Sequence, residues 1–521
     1  MVEEGKSKLY LLRPISDRLP AITRPEGHVH FKTKMMWTIL VLVLYYVLTN
    51  VFIYGLDRSR TIDIFENYRA IMAGATGSIL HLGIGPIVTG SIIMQLFTGA
   101  KIFKLDLTDD EDKATYQSVQ KLIVMIMILV EAIPQVYGYL VPSASFIQML
   151  DARWKGHGLF LARAIIVAQL YIGSYLLFLM DEIVSKWGIG SGISLFIAAG
   201  VSNAIFTGTV NWMPYSLNEP LSVRNPPAGA IPKTIYLLNH MSASSFAGGG
   251  FERILLQPPN PLIALVGTTI IFLIVAYGEA SRIELPLAHE SARGARGRYP
   301  IRLIYCSNIP VILMSALLAN VSMFSILFWS HPRLSRMPLL GHKWWIGAYD
   351  PGSTVPKCGL AWYLRTPRGL YTWLLPLISS AYRERYVPDH NVYQILAHVI
   401  VYVSVMIIGS IIFAKFWIET TNMGPDAVAE QIMKSGMTMP GFRRDPRVLR
   451  RVLQRYIPVV TVFSGAFVGA LAAFANLIGT VGNTSGTGVL LTVGILIRLY
   501  EDIGREQMIE MHPLLRDFFG G

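Results

Sequence analysis

Cysteine is scarce in this chain: Cys306 and Cys358 are the two in 521 residues. Cys306 falls in an apolar run and Cys358 in a loop, so no disulfide framework is expected. Charge is scarce as well, at 15% Asp, Glu, Lys and Arg, where a soluble domain carries roughly 25%. Hydrophobic residues reach 52% and the mean hydropathy is +0.45. Together these values exclude an ordinary soluble domain. Alternating strands of about ten residues are absent, which argues against an outer-membrane barrel. No G-x-x-x-x-G-K-[ST] run occurs, so no P-loop binds a nucleotide. The glycine runs Gly479-Thr480-Val481-Gly482 and Gly486-Thr487-Gly488 open an apolar span and follow no strand, so a dinucleotide fold fails too. His28 and His30 lack further ligands for a metal. Ser191 lies between glycines, but no paired histidine stands at matching depth for an intramembrane protease. The reading is therefore of a protein that is not an enzyme and holds no cofactor or metal.

Long apolar runs are what the chain does have. Hydropathy gives ten spans, near 37–54, 78–99, 117–141, 159–181, 189–208, 262–281, 301–329, 391–418, 456–478 and 486–500. The fold class is an all-α polytopic membrane protein. The fifth span is rich in Gly and Ser and is expected to pack through small-residue contacts. Residues 1–36 are polar and basic, with no apolar core before the first span, so no cleavable signal peptide is expected there. The net charge of +12 and pI near 9.5 partly reflect topology. Basic residues gather at the N-terminus and in the 100–113, 282–302 and 419–455 loops, and ten spans put both ends on that one side, which predicts that both face the cytoplasm. A Pro-, Asn- and Gly-rich segment, 209–261, divides the spans five and five. The domain plan is then a cytoplasmic segment 1–36, a first half 37–208, the external linker 209–261, a second half 262–500 with an external insertion 330–390, and a tail 501–521. Five spans per half makes the halves inverted repeats, as in many transport folds.

Several residues stand out against this background. Pro86 interrupts the second span, and Pro310 interrupts the second span of the second half. Broken membrane helices often line a polar path, although a plain kink is an equal reading of the first proline alone. Glu131 lies in mid-span, where an ionisable group costs about 2.5–3.5 kcal/mol on insertion scales, so it must face protein or water. Thr89 and Asn320 are polar residues in two other spans, suited to interhelical hydrogen bonds. Asp181 and Glu182 end a span and read as interfacial. Two loops, 289–300 and 441–455, concentrate arginine beside glycine and aromatics. Charge alone leaves a phosphate backbone and an anionic lipid surface both open as their partner.

In order and spacing, these stretches resemble the SecY family, the large subunit of the Sec protein-conducting channel, in its archaeal and eukaryotic branch. The resemblance is carried by Leu82 to Thr89, Asp181 to Gly192, Ile283 to His289, Tyr299-Pro300-Ile301, Ser307 to Leu313, Ile457-Pro458 and Gly486 to Val493. It implies ten helices in two inverted five-helix halves that form a clamshell around an hourglass pore. The implied pore ring is Ile84, Val88, Ile193, Ile197, Ile312 and Leu491, all aliphatic here. A plug spans about 61–75, with Phe65, Glu66, Asn67, Tyr68, Arg69, Ala70 and Ile71 at its centre. The implied lateral gate is Thr89, Glu131 and Asn320, and the implied ribosome contacts are Arg293, Arg298, Arg443 and Arg444. Implied partners are a SecE-type (gamma) subunit, a beta subunit, the ribosome, signal sequences and nascent polypeptides, and membrane lipids. The implied location is the plasma membrane. The segments 209–261 and 330–390 look longer than the family core requires. The tryptophans Trp344, Trp345, Trp362 and Trp373 suggest that the second packs on the outer surface or at the membrane interface. A carrier for a small solute is the main rival, but it would need several buried coordinating groups at the midplane.

Overall fold

A computed structural model describes residues 29–57, 72–99, 110–216, 219–242, 246–289, 296–306, 308–330, 334–337, 341–350, 355–421, 423–434 and 446–511, with a few isolated positions besides. Ten long helices carry the fold: α1 Phe31–Asn50, α2 Gly85–Gly99, α3 Asp110–Gly138, α4 Gly158–Trp187, α5 Gly192–Val210, α6 Leu262–Ala280, α7 Ile309–Ser330, α8 Val392–Thr420, α9 Pro446–Ile478 and α10 Gly486–Met511. Eight of them are long and apolar enough to cross a bilayer. The exceptions are α2, which is short, and α10, which runs on into charged residues from Arg498.

The short helix corrects the reading of Pro86. A 15-residue helix reaches only about 22 Å at 1.5 Å per residue, less than the hydrocarbon core. Pro86 breaks no helix. It is the second residue of α2, where the missing N–H costs nothing and the fixed φ suits a helix start. The rest of the depth belongs to the non-helical stretch 72–84, which is largely buried inside protein, as backbone at that depth must be. Pro310 is likewise the second residue of α7. The two prolines therefore hold the same place in the second helix of each half. The seventh span starts at 309 and not at 301, because residues 296–302 pair as a strand. Cys306 thus sits in the turn before α7, where its Sγ approaches the Thr461 carbonyl at 3.8 Å.

The strands form a small sheet outside the bundle. β1 (Arg282–His289) pairs antiparallel with β2 (Arg296–Arg302), and Met437–Thr438 adds a short third edge to β1. The 209–261 segment contains a helix over Ala230–His240 whose Lys233 is buried and donates to the carbonyls of Gln257 (2.7 Å) and Pro259 (2.8 Å). The 330–390 segment folds against the ends of α7, α8 and α9. Trp362 is buried with its ring 3.9 Å from that of His390, and Trp373 Nε1 donates to the Leu477 carbonyl. Trp344 and Trp345 are exposed, so the four tryptophans divide evenly between inward packing and the surface.

One continuous apolar cluster runs through the bundle and draws on α1 to α10. Small residues let the backbones close in, as expected for the Gly-rich start of the fifth span. A Cβ on Gly192 would lie 2.6 Å from the Asp181 backbone, and one on Gly208 would lie 2.2 Å from Gly482.

Candidate functional site

Six aliphatic side chains on or next to four helices belong to that cluster or pack against it. Ile84 precedes α2 and Val88 lies one turn into it. Ile193 and Ile197 are one turn apart on α5, Ile312 is near the start of α7, and Leu491 is near the start of α10. Ile84, Val88, Ile197 and Leu491 are buried, and Ile193 and Ile312 are half-buried against the same cluster. The local backbone explains their placement. Gly83 adopts φ +58°, and a Cβ there would lie 2.0 Å from the Met72 carbonyl, so only glycine permits the fold-back. Ile84 N then donates to that carbonyl at 2.7 Å and is pinned ahead of the helix. On α5, Asp181 Oδ1 accepts from Ile193 N at 2.9 Å and satisfies one of the helix's open donors. Asp181 therefore positions the start of α5, a role that its place at a span end did not reveal. All six are aliphatic, so an apolar constriction built from them would dewet and block ions, yet lose no specific bond on widening.

Beside the ring runs a polar seam. Thr89 Oγ1 donates to Glu131 Oε1 at 2.8 Å and accepts from Asn320 Nδ2 at 2.9 Å. The three residues lie on α2, α3 and α7, so two hydrogen bonds join three helices from both halves of the chain. Gly85 makes room: a Cβ there would lie 3.0 Å from Glu131 Oε2. All the polar intramembrane residues that the sequence marked on cost are thus brought together. One neighbour escaped notice. Gln135, one turn beyond Glu131, directs its Nε2 at Met323 Sδ, 3.7 Å away and one turn beyond Asn320. The spacing i, i+4 on α3 with i, i+3 on α7 was the available signal.

The remaining expected site residues are placed less fully. Arg298 lies on β2 opposite Pro286. Arg293, Arg443 and Arg444, and the plug residues Phe65, Glu66, Asn67, Tyr68, Arg69, Ala70 and Ile71, lie outside the described residues.

Comparison with known proteins gives consistent results. The SecY family model matches residues 78–500, and the model described as the plug domain of Sec61p matches residues 43–77. The chain is 45% identical over 519 residues to the protein translocase subunit SecY of Archaeoglobus fulgidus, covering 99% of both chains. It is 39% identical over 510 residues to that of Methanocaldococcus jannaschii, covering 97% of this chain and 98% of the other. Matches of this coverage show that 209–261 and 330–390 are not additions peculiar to this chain. Among solved structures, it superposes with a TM-score of 0.74 and 38% identity on a chain described as the structure of a protein conducting channel, covering 96% of this chain and 98% of that one. A chain described as Sec61 in the canine ribosome-channel complex from the endoplasmic reticulum matches with a TM-score of 0.71 at 38% identity, over 96% of this chain and 98% of that one. On its sequence and its fold, the chain belongs to the SecY family.

Proposed function

We propose that this chain is the central subunit of a protein translocase, a passive channel that passes unfolded secretory polypeptides across the membrane and releases transmembrane segments sideways into lipid. The observation that carries this reading is a set of aliphatic side chains in one apolar cluster beside the hydrogen-bonded Thr89, Glu131 and Asn320, in a SecY-family fold. Ile84, Val88, Ile193, Ile197, Ile312 and Leu491 act as the ring, which seals against ions and yields to an extended chain. Thr89, Glu131 and Asn320 act as the lateral gate between the halves 37–208 and 262–500, which hinge at 209–261. A plug around 61–75 closes the ring from the external side. Arg293, Arg298, Arg443 and Arg444 offer salt-sensitive contacts to ribosomal RNA, an assignment supported by the likeness to the ribosome-bound channel. SecE-type and beta subunits complete the complex, and both termini face the cytoplasm from a plasma membrane. The chain carries no P-loop, so the driving force comes from the ribosome or another partner.

The test is reconstitution of the full-length chain with its co-purifying subunits in liposomes. A ribosome-bound polypeptide bearing a signal sequence should become protected from protease, and the same polypeptide without the signal should not. Signal-independent protection, or uptake of small solutes with no polypeptide passage, would overturn the reading.

A further inference from the structure

Away from the ring and the seam, three polar side chains meet where the cytoplasmic hairpin joins the bundle. Glu279, the penultimate residue of α6, is almost fully buried. Its Oε1 accepts from Asn308 Nδ2 at 3.4 Å and lies 3.9 Å from Arg498 Nη2 of α10. Among the described residues, Glu279 Oε2 and Asn308 Oδ1 have no hydrogen-bond partner. Gly494 closes the space above them. A Cβ there would fall 2.0 Å from Asn308 Nδ2 and 2.8 Å from Glu279 Oε1.

Each member of this node is attached to a ring helix or to the hairpin. Asn308 precedes α7, and its carbonyl accepts from the backbone N–H of Ile312, a ring residue, at 3.3 Å. On α10, Leu491, Gly494, Arg498 and Glu501 are spaced i, i+3, i+7 and i+10 and so share one helix face. That face runs from the ring through the node to the hairpin. At its far end Glu501 holds both hairpin roots: Arg302 Nη2 lies 2.6 Å from Oε2, and Arg282 Nη2 lies 3.4 Å from Oε1. Arg282 and Arg302 are cross-strand partners, so their like charges would repel without Glu501 between them.

We propose that Glu279, Asn308 and Arg498 are positioning residues that hold the ring closed, locking the ring helices α7 and α10 to the root of the β1–β2 hairpin. The inference rests on the ring reading given above. The node suits a two-state role. It is buried and charged, and among the described residues only one of its three carboxylate and amide oxygens has a hydrogen-bond partner, so a shift of α10 against α6 changes its bonding as it moves Leu491. Movement of the hairpin, whose connecting residues include Arg293, would reach Ile312 through one helical turn of α7 and Leu491 through two turns of α10.

The experiment uses the full-length complex in liposomes and reads two quantities: ion leak per idle channel, and the least hydrophobic signal that still opens it. Glu279→Gln and Arg498→Gln should each raise leak at least about fivefold, the low end of a typical coupling between sites. Both should admit weaker signals. The double variant should exceed the worse single by little, because the two act through one contact. Where Glu279→Gln does not assemble, Asn308→Ala carries the same expectation, since it leaves Glu279 facing Arg498. Ile197→Asn in the ring serves as the reference. Leak from the ring variant with unchanged leak and signal threshold in the node variants overturns the node. A silent ring variant beside leaking node variants removes the ring reading, and with it the claim that the node acts through the ring.

Discussion

Val88 and Thr89 are adjacent on α2 and belong to opposite designs. Val88 is buried in the apolar cluster, whereas Thr89 sits between a donor and an acceptor at 2.9 and 2.8 Å. A seal that must widen around many different chains gains from contacts without direction, because any apolar surface replaces them at little cost. A seam that must stay shut until a signal arrives gains from directional bonds, which are lost together when the helices part. Under the proposed function, two residues of one helix separate sealing from triggering. Substitutions that wet the ring should alter leak first, and substitutions in the seam should alter the signal requirement first.

The largest effect is expected at the ring. Ile197→Asn places an unpaired amide among aliphatic side chains, at about 1–3 kcal/mol against the dry closed state. Ion leak through the idle channel, measured in planar bilayers, should rise steeply. A tight channel with an unchanged signal requirement would remove Ile197 from the constriction. Next comes the seam. Thr89→Val deletes both hydrogen bonds and Asn320→Leu deletes one. At about 0.6 kcal/mol per intramembrane bond and up to about 1.7, Thr89→Val should lower the signal hydrophobicity threshold about twice as far. Equal thresholds in both variants and the wild type would show that the seam does not hold the gate.

Much of this comparison was legible in the sequence, for a physical reason. A polar side chain in a 20-residue apolar run is expensive enough to announce itself, so Thr89, Glu131 and Asn320 stood out before their contacts were known. Groups at span ends give no such signal, since interfacial water is an equally good explanation there. Asp181 therefore read as interfacial and Glu279 and Asn308 were passed over, although Asp181 bonds to the start of α5 and Glu279 bonds to Asn308 at the start of α7. The start of α2 was misread because a proline within an apolar run looks the same whether it kinks a helix or begins one. The β1–β2 hairpin was hidden by its arginines and glycines, which read as loop. Lys233 gave no signal within a polar segment, yet its ammonium group reaches two carbonyls inside the linker.

Lys233 supplies the smallest expected effect and a contrast between the bundle and the 209–261 linker. Burial lowers its pKa from 10.5 to about 7. Between those values the unfolded linker holds a proton that the folded one sheds, so stability increases with pH across the window and is lost as pH falls through about 7. Protease sensitivity of the 209–261 segment, corrected for the protease's own pH profile, should fall as pH rises above 7, and Lys233→Met should flatten that dependence. A linker equally sensitive across the range in both proteins would remove the lysine latch and leave the ring and seam untouched.

The central claim is that a polypeptide passes through the aliphatic ring, and crosslinking from α5 tests it most directly. Cys306→Ser and Cys358→Ser remove the two native thiols, and Ile193→Cys places a single one at the half-buried edge of the ring. A stalled nascent chain carrying a reactive probe should crosslink at that position when it bears a signal sequence and is held by a ribosome, and only then. Absence of that crosslink from a correctly assembled complex would contradict the account and favour a path for small solutes.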